Sequence, residues 1–525
     1  MLSSMVSSGP TRIRLPLLAA VVALFFAACS GSNGEAPDVA EADQGVGGAD
    51  TPVLESDEAD PQDEDAAEVE TEAAVSLAAL EQQWAAARAE VVEAIEFGGF
   101  GVDEDNVLRG PGGLEVDLDD CPADWSDEAG IDGDLIRVAH TSPITGNLFA
   151  YGHLGSGMQV YFDWVNDNGG IGGRQIQLSI LDDGYNGEQT AEVVEELVEE
   201  DPPFLVTTLG SPTSLEVYGD LNDRCIPQPF VMSSHPAFGD PEGHPWTTGL
   251  QLSQTSEAVI WGNWMKENLQ GDLPVRVGAV VMDNEFGVVY EEAFAEWADA
   301  NSDVVSEFVP VRHNPQAADL GEELTELVDS DPDIYIAMTT GDPCLFAVQA
   351  AGSSGLLEQV DAAFTSSTCQ QTSLYLAPAG EVADGLLVVN GGGKSTADPR
   401  FADEPFIAFA NGELVAAGLD TSIGFFGTGF TYYGWAHVEA MRIADELDGG
   451  LTRSNLLLAI RSLDLVHPMY FEGIRFSFNG NQDGFAIEGS QISQFDAEAQ
   501  AWRRLGPIID VNGLSPSCAW TGQRC

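Results

Sequence analysis

The sequence predicts an α/β protein of two tandem units, each an open, mostly parallel sheet with helices on both faces. Two observations predict it. From about residue 134, short β-rich runs alternate with segments of helical spacing, the pattern of successive βαβ units. After about Gln254 the alternation begins again. A chain of 525 residues that is 44 % hydrophobic has ample length for two or three domains with cores of their own.

In the first unit "LIRVAHTSPIT" reads as a strand and "AYGHLGSGMQVYFDWVNDN" as a helix. "RQIQLSILDD", "PFLVTTLG" and "QPFVMS" read as strands, separated by the helical "EQTAEVVEELVEE" and "SPTSLEVYGDLNDR". The second unit repeats the order, from "SEAVIWGNWMKENL" through "VRVGAVVMD", "YEEAFAEWADA", "VVSEFVPV" and "LGEELTELVDS" to "DIYIAMTT".

Upstream the composition differs. Arg12 and Arg14 precede "LPLLAAVVALFFAAC", an apolar run that ends on small residues and then Cys29. The run is short for a membrane span, which takes roughly 20 residues, and has the layout of a secretory signal. The cysteine after the small pair resembles a bacterial lipoprotein processing site, so residues 1–29 are expected to be a signal peptide and Cys29 to carry the lipid. Residues 30–74 are Ala, Asp, Glu, Gly and Pro with few large apolar side chains, which predicts a disordered acidic tether. Residues 75–133 are expected to be a stalk helix, with Leu77, Leu80, Trp84 and Ala87 on its packing side, followed by an irregular Gly- and Asp-rich lead-in.

Net charge is −67, from 86 acidic and 19 basic side chains, and Lys266 and Lys394 are the only lysines. Such a field repels nucleic acid, and it disfavours anionic ligands unless their pocket is locally compensated. Without Cys29, six of the seven cysteines remain, an even number in an exported chain. Six cysteines allow fifteen connectivities. Cys518 and Cys525 close a short loop, Cys344 and Cys369 follow neighbouring candidate strands, and Cys121 is left with Cys225. No Cys or His spacing suggests a metal, and no cofactor is expected.

"GGIGGR" at 169–174 has the glycine density of a phosphate cradle. It follows a helix and precedes a strand, however, and a dinucleotide fingerprint needs the reverse order. Its glycines suit a helix end and a tight turn. Asp182 and Asp183 close the next strand, where aspartates order turns.

The run "HTSPITGNLFAYGHLGSGMQVYFDWVNDNGGIGGRQIQLSILDD", followed in order by "VTTLGSPTS", "CIPQPFV", "FGDPEGHPWTTG", "MDNEFGVVYEEAF" and "GIRFSFNGNQDG", resembles the branched-chain amino-acid-type substrate-binding proteins of ABC transporters. The resemblance spans about 134–505. It implies a two-lobed type I periplasmic-binding fold with three hinge crossings and the ligand in the cleft between lobes. The first lobe is then expected at about 134–253 and 391–467, the second at about 254–390 and 468–510, with 511–525 as a tail.

Several cleft contacts are expected. Ser211 and Thr213 open a helix after a strand, where free amides and hydroxyls suit a carboxylate, or where Ser211 simply caps its own helix. Ser233 and Ser234, beside His235, end the next strand. By resemblance Tyr151 lines the cleft mouth and Phe286 is an aromatic wall. Thr340 and Thr368 end strands of the second unit. Amino-acid binders of the family carry an acid near Thr368, and "FTSSTCQQ" has none. Either Asp342, Asp283 or Glu285 reaches in, or the ligand is not a zwitterion but an amide, urea or aromatic acid.

A hydrolase is disfavoured because "LGSPTS" lacks the Gly-x-Ser-x-Gly elbow. A receptor ectodomain would need a membrane span and output domain, neither of which is read here. The expected role is a monomeric, lipid-anchored, extracytoplasmic carrier of a small molecule to a membrane permease. The alternative is a sensor that presents its loaded form to a separate receptor.

Overall fold

The computed structural model describes residues 76–516 and 518–521. The signal peptide, Cys29, the tether and Cys525 lie outside the described residues.

Helix α1 (Leu77–Gly98) starts at Ser76, whose hydroxyl caps the Ala79 amide, and stops at Gly99 in a left-handed conformation (φ 64°). Its buried stripe is Trp84, Arg88, Val91 and Ile95. The lead-in read as irregular contains a small antiparallel sheet of Gly101–Val102, Val107–Arg109 and Glu115–Asp117. Asp103 Oδ1 makes its first turn by accepting from the amides of Asp105 and Val107. The acidic residues of this stretch, read as irregular, include turn-formers.

The first sheet is built on β1 (Leu135–Ser142), flanked in parallel by β2 (Gln175–Asp182) and β3 (Leu205–Thr208). Between them run α2 (Gly152–Asp167) and α3 (Gly187–Glu200). Then come α4 (Ser211–Asp223), β4 (Gln228–Val231) and β5 (Thr247–Gly249), with β4 and β5 parallel and β4 joined to β3 beyond a Leu209–Met232 bridge. Residues 169–174 form the turn between α2 and β2, closed by reciprocal backbone bonds between Ile171 and Arg174. Asp182 accepts from the Ile144 and Thr145 amides and from the Thr145 hydroxyl, so it pins the loop after β1.

The second sheet follows α5 (Gln254–Asn268). It contains β6 (Val275–Met282), β7 (Val305–His313), β8 (Ile334–Met338), β9 (Ala362–Thr365) and β10 (Leu387–Asn390), connected in part by α6 (Glu285–Ala300), α7 (Gly321–Asp329) and α8 (Asp342–Ser353). These strands are parallel in the order β7-β6-β8-β9-β10. Strands β3 and β8 are buried at every residue, as strands covered on both faces must be.

After β10 the chain crosses back to α9 (Pro405–Ala416), α10 (Trp435–Glu446) and α11 (Arg453–Arg461). Trp84 of α1 packs edge-on against Phe406 and Trp435 at 5.2 and 5.6 Å, and Arg88 pairs with buried Glu439. The chain stays beside the first sheet longer than the boundary at 468 would place it. Phe478 bonds back to Leu463, and Ile487 to Leu250. It rejoins the second sheet as β11 (Gly489–Asp496) and β12 (Ala501–Asp510), both antiparallel additions at the β10 edge. Crossings near 250–254, 390–394 and 487–489 therefore lie together, and bridges link Gly249 to Phe485 and Gly393 to Tyr470.

Disulfides join Cys121 to Cys225 and Cys344 to Cys369. Cys518 is also disulfide-bonded.

Candidate functional site

Parallel strands put their carboxyl ends on one side, and open α/β sheets bind ligands there. Here the carboxyl ends of both sheets face a single cavity of about 530 Å³. Its walls include Leu148, Tyr151 and Leu154 from the segment after β1, Ser233 and Ser234 after β4, Phe286 after β6, Thr340 after β8 and Thr368 after β9.

Tyr151 spans the two walls. Its hydroxyl lies 2.6 Å from Thr340 Oγ1, and its ring packs 4.6 Å from that of Phe425. Ser234 Oγ donates to Gln251 Oε1 at 3.2 Å, and the Gln251 amide nitrogen donates to the Tyr433 hydroxyl. Thr368 Oγ1 contacts Ser366 Oγ at 2.9 Å. Phe286 sits one residue into α6, whose start Asn284 caps, and its ring meets Tyr290 edge-on at 5.5 Å.

Ser211 and Thr213 are not on the cavity wall. Ser211 Oγ bonds to Ser233 Oγ at 2.9 Å, and Thr213 Oγ1 donates back to the carbonyls of Leu209 and Gly210. The ring of Tyr185 covers this helix start. Gly210 has φ 96°, and a Cβ on it would meet that ring. The chain's own aromatic ring thus packs against the helix start where the sequence placed a ligand carboxylate. His235 also turns away: it is buried, its Nδ1 accepts from the Ala237 amide, and burial lowers its pKa to about 3.

The acid missing near Thr368 arrives by another route. Glu257, in the first turn of α5 just after the first crossing, is buried and lines the cavity. Its Oε1 accepts from the Ser367 amide at 2.8 Å; its Oε2 accepts from the Ser367 hydroxyl at 2.9 Å and the Tyr290 hydroxyl at 2.6 Å. Burial pushes its pKa up to about 7, against the pull of these three donors. Of the acids considered from sequence, Asp283 pairs with Arg312 at 3.0 Å, and Asp342 and Glu285 are absent from the cavity wall. The available signal was a lone acid in "QTSEAVIW", a helix that otherwise buries its start.

The outer end of the cavity is charged and aromatic. Lys394, Arg400, Arg504 and Asp398 line it, with Phe401, Tyr432, Tyr470, Phe471 and Trp502. No group of acids, histidines or cysteines among the described residues has metal-binding geometry.

Residues 135–496 match the family model described as Periplasmic binding protein. The chain belongs to that family. The binding protein is similar in structure to a branched-chain amino acid ABC transporter protein from Thermus thermophilus solved with bound valine. They share 17 % identity over 72 % of this chain and 97 % of that one, with a TM-score of 0.63. A fatty acid ABC transporter substrate-binding protein from Thermomonospora curvata is 16 % identical, with 79 % and 98 % covered and a TM-score of 0.62. A solute-binding protein from Rhodopseudomonas palustris BisB5, in complex with 3,4-dihydroxybenzoic acid, is 17 % identical, with 72 % and 98 % covered and a TM-score of 0.59. No curated protein is detectably similar in sequence. At these identities the structural likeness establishes the fold.

Proposed function

We propose that this family member is an extracytoplasmic solute-binding lipoprotein, anchored through Cys29, that holds a small molecule in the interlobe cleft and delivers it to an ABC importer. The observation that carries the reading is one cavity of about 530 Å³ walled by the strand ends of both sheets. That size suits a ligand larger than a single small amino acid, within the roughly 300–1,000 Å³ typical of small-molecule pockets. Tyr151, Ser233, Ser234, Phe286, Thr340 and Thr368 are the contacts we assign from the sequence set, and Glu257 joins them. Ser211 serves behind Ser233, as its support. The cleft performs no chemistry in this role.

The test is a thermal-shift panel of amino acids, amides, ureas and apolar carboxylates, because a native-state ligand raises the melting temperature by mass action. At least one small molecule should shift wild type, with the shift reduced in Ser233→Trp, which fills the cavity. A panel that shifts both proteins equally would overturn the cleft as the site. Intact-mass analysis of the membrane fraction tests the anchor: an unmodified Cys29 in an uncleaved chain would overturn it.

A further inference from the structure

We propose that the outer end of the cleft is a carboxylate receptor centred on Arg504, and that the ligand is a monocarboxylate on an apolar body. The proposal rests on the cleft reading above and names its substrate class.

Arg504 stands out from the chain's other cations. Among the described arginines it is the one whose guanidinium has neither an ion pair nor a hydrogen bond. Arg400, for comparison, is held by Asp398, Arg442 by Glu439, and buried Arg453 and Arg461 by backbone carbonyls. Acidic residues outnumber basic ones 86 to 19, so carboxylate partners are abundant. An arginine left without one, in a cavity wall, is kept open.

Its geometry is also fixed. The guanidinium lies 4.2 Å from the centroid of the Phe471 ring, which supports its face and leaves its N–H edges for an acceptor. Phe471 packs on Phe401 at 6.0 Å, and Arg400 lies over Phe401 at 5.6 Å. On the same strand, two residues before Arg504, Trp502 is tied by its indole N–H to the Gln370 carbonyl at 2.9 Å. Lys394 adds a second cation, shared with Glu404. With Arg400 and Lys394 each paired to an acid, Arg504 is the local compensation that an anionic ligand needs in so acidic a protein. The other candidate carboxylate site, the start of α4, is filled by Tyr185. An acid docked by a two-pronged bond to Arg504 leaves its apolar body to Tyr151, Leu250, Leu252 and Phe425 inside the cavity.

The test is calorimetric titration of the full-length protein with octanoate and 3-phenylpropanoate, each paired with its uncharged amide. One acid should bind at least about tenfold more tightly than its own amide. Which of the two binds tells an acyl from an aromatic source. In Arg504→Gln the acid should fall to the affinity of its amide, with the amide unchanged. Arg504→Lys should keep part of the preference. Arg503→Gln, a change to the neighbouring arginine that bonds Gln494, should keep all of it. Matched melting temperatures establish that the variants are folded. An acid preference that survives in Arg504→Gln overturns the proposal, as does equal binding of acid and amide by wild type. If no acid binds but an amino acid or neutral solute does, the receptor is overturned and the cleft reading stands. If no small molecule binds at all, both fall.

Discussion

The two halves of the binding protein each carry a disulfide, and the two bonds do different work. Cys121–Cys225 ties the lead-in to the turn between α4 and β4. Around it the Trp125 indole donates to the Cys225 carbonyl, and buried Arg453 holds the carbonyls of Pro203 and Phe204. None of these residues lines the cavity. Cys344–Cys369 lies under the cavity wall itself, with Cys369 next to Thr368 and both sulfurs close to the Thr339 carbonyl. One bond staples a domain together; the other shapes a binding surface. Stability and binding should therefore separate between the two halves.

The largest effect tests the stapling half. Replacing Cys121 and Cys225 by alanine frees a loop spanning 104 residues and should cost about 4.7 kcal/mol in urea unfolding. The affinity for whichever ligand the thermal-shift panel identifies should not change. A changed affinity would break the comparison. Replacing Cys344 and Cys369 releases a loop spanning 25 residues, for about 3.5 kcal/mol, yet here affinity should weaken as well. If the second variant loses stability alone, the wall does not depend on its disulfide.

Glu257→Ala should cost about 3 kcal/mol, because the Ser367 amide and hydroxyl and the Tyr290 hydroxyl lose a buried acceptor. Its pH dependence has a defined sign. With the carboxyl raised to about 7 in the fold, the native chain keeps a proton that the unfolded chain releases from about 4.5 upward. The contribution is present below that range and is lost as pH rises toward and through 7. Glu257→Gln should flatten this part of the slope between urea titrations at pH 5 and pH 7.5; an unchanged slope would show that the carboxyl is not raised. The smallest effect is Tyr151→Phe, about 1 kcal/mol for one neutral hydrogen bond between the walls. Small-angle scattering should show a more open average form, and no change would mean that the Tyr151–Thr340 contact does not hold the walls together.

The same contrast governs what could be read from the chain. Strands and helices were legible because "LVTT" and "IYIAM" are buried on both faces and carry the pattern locally. The strand-end residues Ser233, Ser234, Thr340 and Thr368 could be placed on the cavity side because a parallel sheet fixes the side on which its strands end, whereas Tyr151 and Phe286 were placed there by the resemblance. Ser211 and Thr213 follow the same rule, but Tyr185, which covers them, is brought there by a turn with positive φ (59°) that no period signals. Glu257 and Arg504 were illegible because each acts far from its sequence neighbours. The acid reaches Ser367 from 110 residues away, and the arginine lies over a ring contributed by a loop, that of Phe471. The lead-in, read as irregular from its Gly and Asp content, holds a small sheet because Asp103 makes one of its turns.

Helix α1 has a mechanical consequence. Trp84 wedged between Phe406 and Trp435, with Arg88 locked to Glu439, makes α1 part of the first half's frame. A pull arriving along the chain from its amino end is thus delivered to that half alone. The half that carries α1 takes the load, and any closure over the cleft would turn on the three crossings near 250–254, 390–394 and 487–489. An amino-terminal fusion or surface attachment that keeps α1 intact should therefore leave ligand affinity unchanged.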